Sequence, residues 1–77
     1  MTGQRPAVVF GRHLRQVRHE RGLSQTQLAQ RAGLHSSEIG RLEHGRRDPR
    51  LQTIVTLAAA LGVPVARLVD GLPECGP

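Results

Sequence analysis

SQTQLAQRAGLHSSEIGRLEHG, residues 24–45, divides into two short helices joined by a tight turn. Gln25 to Ala32 form the first helix and Ser36 to Glu43 the second, with Gly33 between them. Leu28, Ala32, Leu34, Ile39 and Leu42 recur at helical spacing and supply the inward apolar positions. Ala29 is small where two helix backbones approach closely. Gly33 follows the last residue of the first helix, where a sharply turning chain needs a positive φ without a Cβ penalty. Ser24 offers an N-cap, and Gln27 three residues later completes a Ser-x-x-Gln capping box. Leu23 and Leu28 flank that cap at the positions of a hydrophobic staple.

Working outward, a helix from about Val8 to Arg21 precedes this pair. Phe10, Leu14 and Val17 make its apolar stripe, Arg12, Arg15 and His19 lie off it, and Gly22 ends it. On the other side Gly45 closes the second helix of the pair, and Arg46-Arg47-Asp48-Pro49-Arg50 forms a basic loop. A fourth helix runs from about Leu51 to Leu61, with Leu51, Ile54, Leu57, Ala58 and Leu61 facing the core. Pro64 occupies the first turn of a short fifth helix that reaches about Val69. No segment needs to be a strand, so the expected fold is all-α, a compact bundle of five helices. Residues 1–7 read as a flexible amino-terminal arm, 8–71 as the domain and 72–77 as a flexible tail.

The 77 residues suit one small domain, with no room for separate substrate and cofactor regions. Every basic side chain other than histidine is arginine, and the net charge is +5. Residues 1–50 hold ten arginines against Glu20, Glu38, Glu43 and Asp48, a net of +6. Residues 51–77 hold Arg67 against Asp70 and Glu74, a net of −1. A basic front half is the footprint of a phosphate-binding face. Joined to the turn at Gly33, it describes a helix-turn-helix whose second helix enters the DNA major groove. Cys75 is the only cysteine, so no disulfide framework exists and a reducing compartment fits. No apolar run has the length of a signal-peptide core or a membrane span, and a cytoplasmic protein without membrane partners is expected.

The run LSQTQLAQRAGLHSSEIGRLEHGRRDP, residues 23–49, followed by LQTIVTLAAALGV, residues 51–63, resembles the lambda-repressor-like helix-turn-helix family. That family includes phage repressors and the xenobiotic-response-element type bacterial regulators, and the resemblance covers roughly Phe10 to Val69. It implies that Gln25, at the amino end of the second helix, contacts phosphate and buttresses a base-reading side chain. Ser36 and Ser37 take the first exposed positions of the recognition helix, and Arg41 lies one turn on. His44 and Arg46 match backbone-contacting positions, while Arg18 and Glu43 match a buried ion pair between the first and third helices.

Elementary chemistry supports these roles. A helix amino terminus presents free N–H groups and a positive dipole end to phosphate, which suits Gln25 and its neighbour Ser24. Arginine pairs bidentately with guanine, for about 1–3 kcal/mol of discrimination, so Arg41 is the strongest candidate reader. Ser36 and Ser37 either read bases weakly or simply start the helix. Arg46, Arg47 and Arg50 either bind phosphate without choosing sequence or, for one or two of them, are simply solvated. Two residues depart from the family pattern. Gly40 sits mid-helix, at a cost of roughly 0.5–1 kcal/mol relative to alanine; it either admits the helix backbone closer to the groove or merely tolerates that cost. His35 stands where a capping serine or threonine is usual, and is either a phosphate contact sensitive to pH or a plain surface histidine.

The four histidines have no ligand spacing, and no nucleophile has a base beside it. Neither metal, cofactor nor enzymatic activity is expected, and no effector is assigned. Residues 51–66 carry no charged side chain, and Val55, Ala59, Val63 and Val65 are left over once the core is filled. They form either a dimer interface or scattered exposed apolar positions. Two functions follow from different classes. One is a sequence-specific regulator, a repressor, bound as a homodimer to near-palindromic double-stranded DNA. The other is a DNA-binding antitoxin or partner-binding subunit, which needs a partner segment longer than the few residues past Gly71.

Overall fold

The computed structural model describes residues 5–72. Five helices follow in order: α1 (Pro6–Glu20), α2 (Gln25–Ala32), α3 (Ser36–Glu43), α4 (Leu51–Leu61) and α5 (Ala66–Val69), with no strand among the described residues. The bounds of α2, α3 and α4 coincide with those read from sequence because their punctuation is local. At α2 the Gln27 N–H donates to Ser24 Oγ at 3.0 Å, and the Ser24 N–H donates to Gln27 Oε1 at 2.8 Å. Gly33 takes the left-handed conformation at φ 71°, letting Leu34 N–H reach back to the Ala29 carbonyl at 2.9 Å. At α3 the Glu38 carboxylate accepts from the His35 N–H at 3.1 Å, closing from the far side a helix start that histidine caps poorly.

The ends of the chain differ from the reading. Helix α1 begins two residues before Val8, because Pro6 sits at the first helical turn, where its fixed φ and missing N–H cost nothing. Pro6 and the buried Ala7 therefore belong to the helix and not to an arm. Leu72 packs against the core, so it belongs to the domain rather than the tail. Residues 1–4 and 73–77, including Cys75, lie outside the described residues. Helix α5 starts at Ala66; Pro64 precedes it, its carbonyl accepting from Arg67 N–H at 3.0 Å.

Phe10, Leu14 and Val17 of α1, Leu28 of α2, Ile39 of α3, Leu57 of α4 and Leu68 of α5 converge on one fully buried core. Helix α1 packs on α3 and α5, and α2 packs on α3 and α4. The α1–α3 seam is too close for any side chain at Gly11. A Cβ there would stand 2.6 Å from the Glu43 carbonyl oxygen and against that of Leu42.

Two apolar positions of the carboxy-terminal third exchange roles. Leu51, expected in the core, is 75% exposed. On α4 the buried arc contains Leu57, Ala58 and Leu61, with Ile54 half-buried. At about 100° per residue Leu51 falls at its edge, on a strip shared with Val55 and Ala59. Val63, expected as surplus surface, is buried at 8% exposure and unavailable to a partner. The Gly62 turn returns its N–H to Ala59 O at 3.1 Å and that of Val63 to Ala58 O at 3.0 Å. This helix stop drives the residue after glycine onto the helix it terminates. Val65 is half-buried against the core.

Gly11→Ala is expected to destabilise the domain by about 1–3 kcal/mol, the overpacking cost outweighing alanine's better helix propensity. Urea unfolding measures this directly; a midpoint equal to or above that of the parent chain contradicts the close-packed seam.

Candidate nucleic-acid interface

Helix α3 buries Ile39 and Leu42 and turns its opposite side outward. At about 100° per residue, Ser36, Gly40, His44, Ser37 and Arg41 span an outward arc of about 140°. Ser36, Ser37, Arg41 and His44 are exposed and Gly40 is half-buried. Ser37, Gly40, Arg41, His44 and Arg46 together line a shallow depression of about 290 Å³. The Arg41 guanidinium has neither hydrogen bond nor ion pair among the described residues. His44 is held in one pose, with its Nδ1–H donating to the Gly40 carbonyl at 2.7 Å. That carbonyl can only accept, so Nδ1 carries the proton and Nε2 is the atom left to meet a ligand.

Behind this face lies a buried polar cluster that joins three helices. Arg18 of α1 donates through Nε to Glu43 Oε2 at 2.6 Å and through Nη2 to Oε1 at 3.1 Å. Its Nη1 donates to the Leu23 carbonyl at 2.8 Å. Gln25, first residue of α2, donates its amide Nε2 to Glu43 Oε1 at 3.1 Å. The side chains of Arg18 and Glu43 are 9% and 2% exposed, and no buried side-chain polar atom among the described residues lacks a partner. A bidentate guanidinium–carboxylate pair fixes orientation as well as distance. The carboxy-terminal end of α3 is thereby fastened to the amino end of α2 and the last turn of α1.

The flanks of the outward face differ. On one side stands Gln25, whose amide lies 3.9 Å from where a Gly40 Cβ would be. On the other, Arg47, Asp48, Pro49 and Arg50 join Glu38, Leu42 and Thr53 around a second depression of about 230 Å³. Arg46, Arg47 and Arg50 are all exposed. Ser24 and His35 are exposed but line neither depression, and the Ser24 hydroxyl is engaged as the α2 cap. Arg5, read from sequence as part of a loose arm, donates its Nη2 to the Gly45 carbonyl at 3.2 Å, beside Arg46. No cluster of three or more metal-ligating side chains occurs among the described residues, and none of their helices is long and apolar enough to cross a membrane.

A family model described as a helix-turn-helix domain matches residues 9–70. The chain belongs to that family. This helix-turn-helix domain is 39% identical over 62 residues to the immunity repressor protein of Bacillus phage phi105, covering 80% of this chain and 43% of the repressor. The chain thus spans under half the length of that relative. Among solved structures, the restriction-modification controller protein C.AhdI from Aeromonas hydrophila is 42% identical, with a TM-score of 0.78 over 80% of this chain and 94% of that one. The amino-terminal DNA-binding domain of SinR from Bacillus subtilis is 31% identical, with a TM-score of 0.76 over 86% and 97%. The five-helix fold is the lambda-repressor-like arrangement expected from the sequence.

Within the helix-turn-helix domain, Glu43→Gln leaves Arg18 buried without its counter-charge. A loss of about 3–5 kcal/mol is expected by urea unfolding, and a loss below about 1 kcal/mol, the ceiling for an exposed pair, contradicts the anchoring role. Gly40→Ala has the opposite sign. The added methyl meets the Gln25 amide only at ordinary contact distance, so helix propensity decides, and a gain of about 0.5–1 kcal/mol is expected in the same assay.

Proposed function

We propose that the chain is a sequence-specific regulator of transcription, a repressor, that binds near-palindromic double-stranded DNA as a homodimer in the cytoplasm. The observation that carries this reading is the outward face of α3, where an unpaired Arg41 and two serines project from a helix anchored behind by buried ion pairing. Ser36, Ser37 and Arg41 read base edges in the major groove, and Gly40 keeps the face low in relief. Ser24, Gln25, His35, His44, Arg46, Arg47 and Arg50 hold the phosphodiester backbone, which orients the helix without choosing sequence. The names of the relatives, an immunity repressor and a restriction-modification controller, point to the same class of activity.

The homodimer is supported by the strip along α4. Leu51 and Val55, at 75% and 49% exposure, are the exposed large hydrophobic residues among those described, and Ala59 continues their line. No charge interrupts residues 51–66. A face that is apolar and uncharged pairs readily with its own copy about a two-fold axis. The interface therefore keeps Val55 and Ala59, gains Leu51 and excludes the buried Val63. Such a dimer sets two copies of α3 in successive major grooves about 34–36 Å apart.

Selection from a random pool of double-stranded DNA, run with the parent chain and with Arg41→Ala, tests the reading. The parent is expected to enrich a near-palindrome with half-sites about one helical turn apart. Arg41→Ala is expected to lose preference at one base pair in each half-site, by about 1–3 kcal/mol. Binding that tracks salt alone, with no enriched motif, overturns sequence-specific regulation; an unchanged motif with Arg41→Ala moves that arginine to the backbone.

A further inference from the structure

We propose that Arg5 is a phosphate-binding residue of the DNA interface, seated beside Arg46 at the carboxy end of α3. The inference rests on the DNA-binding reading and adds to it a residue that no sequence motif marks. Arg5 immediately precedes α1, and its Nη2 donates to the Gly45 carbonyl at 3.2 Å across 40 residues of sequence. Gly45 is itself immobilised. It is buried, takes φ 69°, and lies so near α1 that a Cβ would stand 2.8 Å from Val8 Cα. Arg5 is thus docked on a rigid seam, and the next residue along that seam, Arg46, lines the depression on the outward face of α3.

The charge of Arg5 is also unspent. Arg18 is matched by Glu43 and Arg67 by Glu20, whereas Arg5 touches only a neutral carbonyl among the described residues. A guanidinium carries five N–H donors in a planar fork, so one bond to Gly45 leaves the others for a planar or tetrahedral oxyanion. No acidic residue lies in the first turn of α1 to compete for it. An exposed guanidinium anchored by one donor, next to a second arginine on a surface that meets DNA, matches the phosphodiester backbone in charge and geometry.

The test is the salt dependence of binding to a fluorescein-labelled duplex of mixed sequence, read by anisotropy for the parent chain, Arg5→Ala, Arg5→Gln and Arg5→Lys. Loss of one phosphate contact is expected to make the slope of log affinity against log salt shallower by about 0.9 in Arg5→Ala and Arg5→Gln. Relative to the parent, this changes the affinity lost between about 50 and 200 mM salt by roughly three- to four-fold. Arg5→Lys keeps the charge and is expected to keep the slope. Thermal unfolding is followed in parallel, and Arg5→Gln retains a donor for the Gly45 carbonyl should Arg5→Ala loosen the seam. Parental slopes in Arg5→Ala and Arg5→Gln, with or without a lowered unfolding midpoint, overturn the assignment and leave Arg5 a structural residue. Absence of binding by the parent chain overturns the DNA-binding reading itself, and this assignment with it.

Discussion

The pairing of Arg18 with Glu43 is the constraint on which the rest of the molecule depends. Removing two charges from water costs several kcal/mol per ion, and their attraction repays it only when geometry and remaining hydrogen bonds are complete. Here they are complete: the guanidinium serves both carboxylate oxygens and the Leu23 carbonyl, and Gln25 adds a donor to the carboxylate. The donors to the carboxylate come from α1 and α2, and the carboxylate itself from α3. A shift of α3 by even an ångström would leave a buried charge unsatisfied. The pair thus contributes specificity of position, which a greasy contact of the same volume does not supply. A helix that must present side chains within about half an ångström of productive geometry needs such support from behind.

The exposed pair of Arg67 and Glu20 makes an instructive contrast. Its bond is equally short, 2.7 Å, yet both side chains are 45% exposed. The hydrogen bond from Arg67, together with its charge, holds the Glu20 carboxyl below its ordinary pKa. Solvent screens such a pair, so it links α1 to α5 without deciding the position of either. Pairing therefore neutralises two arginines away from the outward face, and the exposed arginines around α3 supply the positive field. Long-range attraction of a polyanion depends on that asymmetry rather than on the total charge.

What was legible in the sequence is what short-range physics controls. Ser24 and Gln27 announce the start of α2 because both halves of the capping box lie within four residues. Gly33 announces its end because only the local backbone demands a positive φ there. Phe10, Leu14 and Val17 mark the buried stripe of α1 because helical geometry alone places them on one face. Leu51 and Arg5 depend instead on contacts distant in sequence. Periodicity gave Leu51 an inward bearing, but only the packing of α2 on α4 determines which edge of the apolar arc is covered. Gly11 carries no local signal and Gly45 reads only as a helix stop, yet a Cβ at either would collide where α1 packs on α3 and its end. Val63 was readable in principle: like Leu23 after Gly22, it is the apolar residue that follows a helix-ending glycine, and both are buried. Arg5 left no local signal, since its partner Gly45 lies 40 positions away.

The composition of the outward face also bears on the dimer proposed for the α4 strip. On the proposed reading, one domain reads DNA with a single arginine capable of bidentate pairing, for about 1–3 kcal/mol, and two serines whose hydroxyls discriminate weakly. Specific binding exceeds non-specific binding by about 4–10 kcal/mol in working regulators. A single copy of α3 falls short of that range, whereas two copies on a symmetric site approach it, because base contacts at well-separated positions add roughly independently. Short side chains at residues 36 and 37 and none at Gly40 leave the energy of recognition concentrated in Arg41. The more a recognition helix relies on one reader, the more the protein depends on a second copy held at fixed spacing. Leu51, Val55 and Ala59 are then as much a part of sequence discrimination as Arg41, although none of them reaches a base.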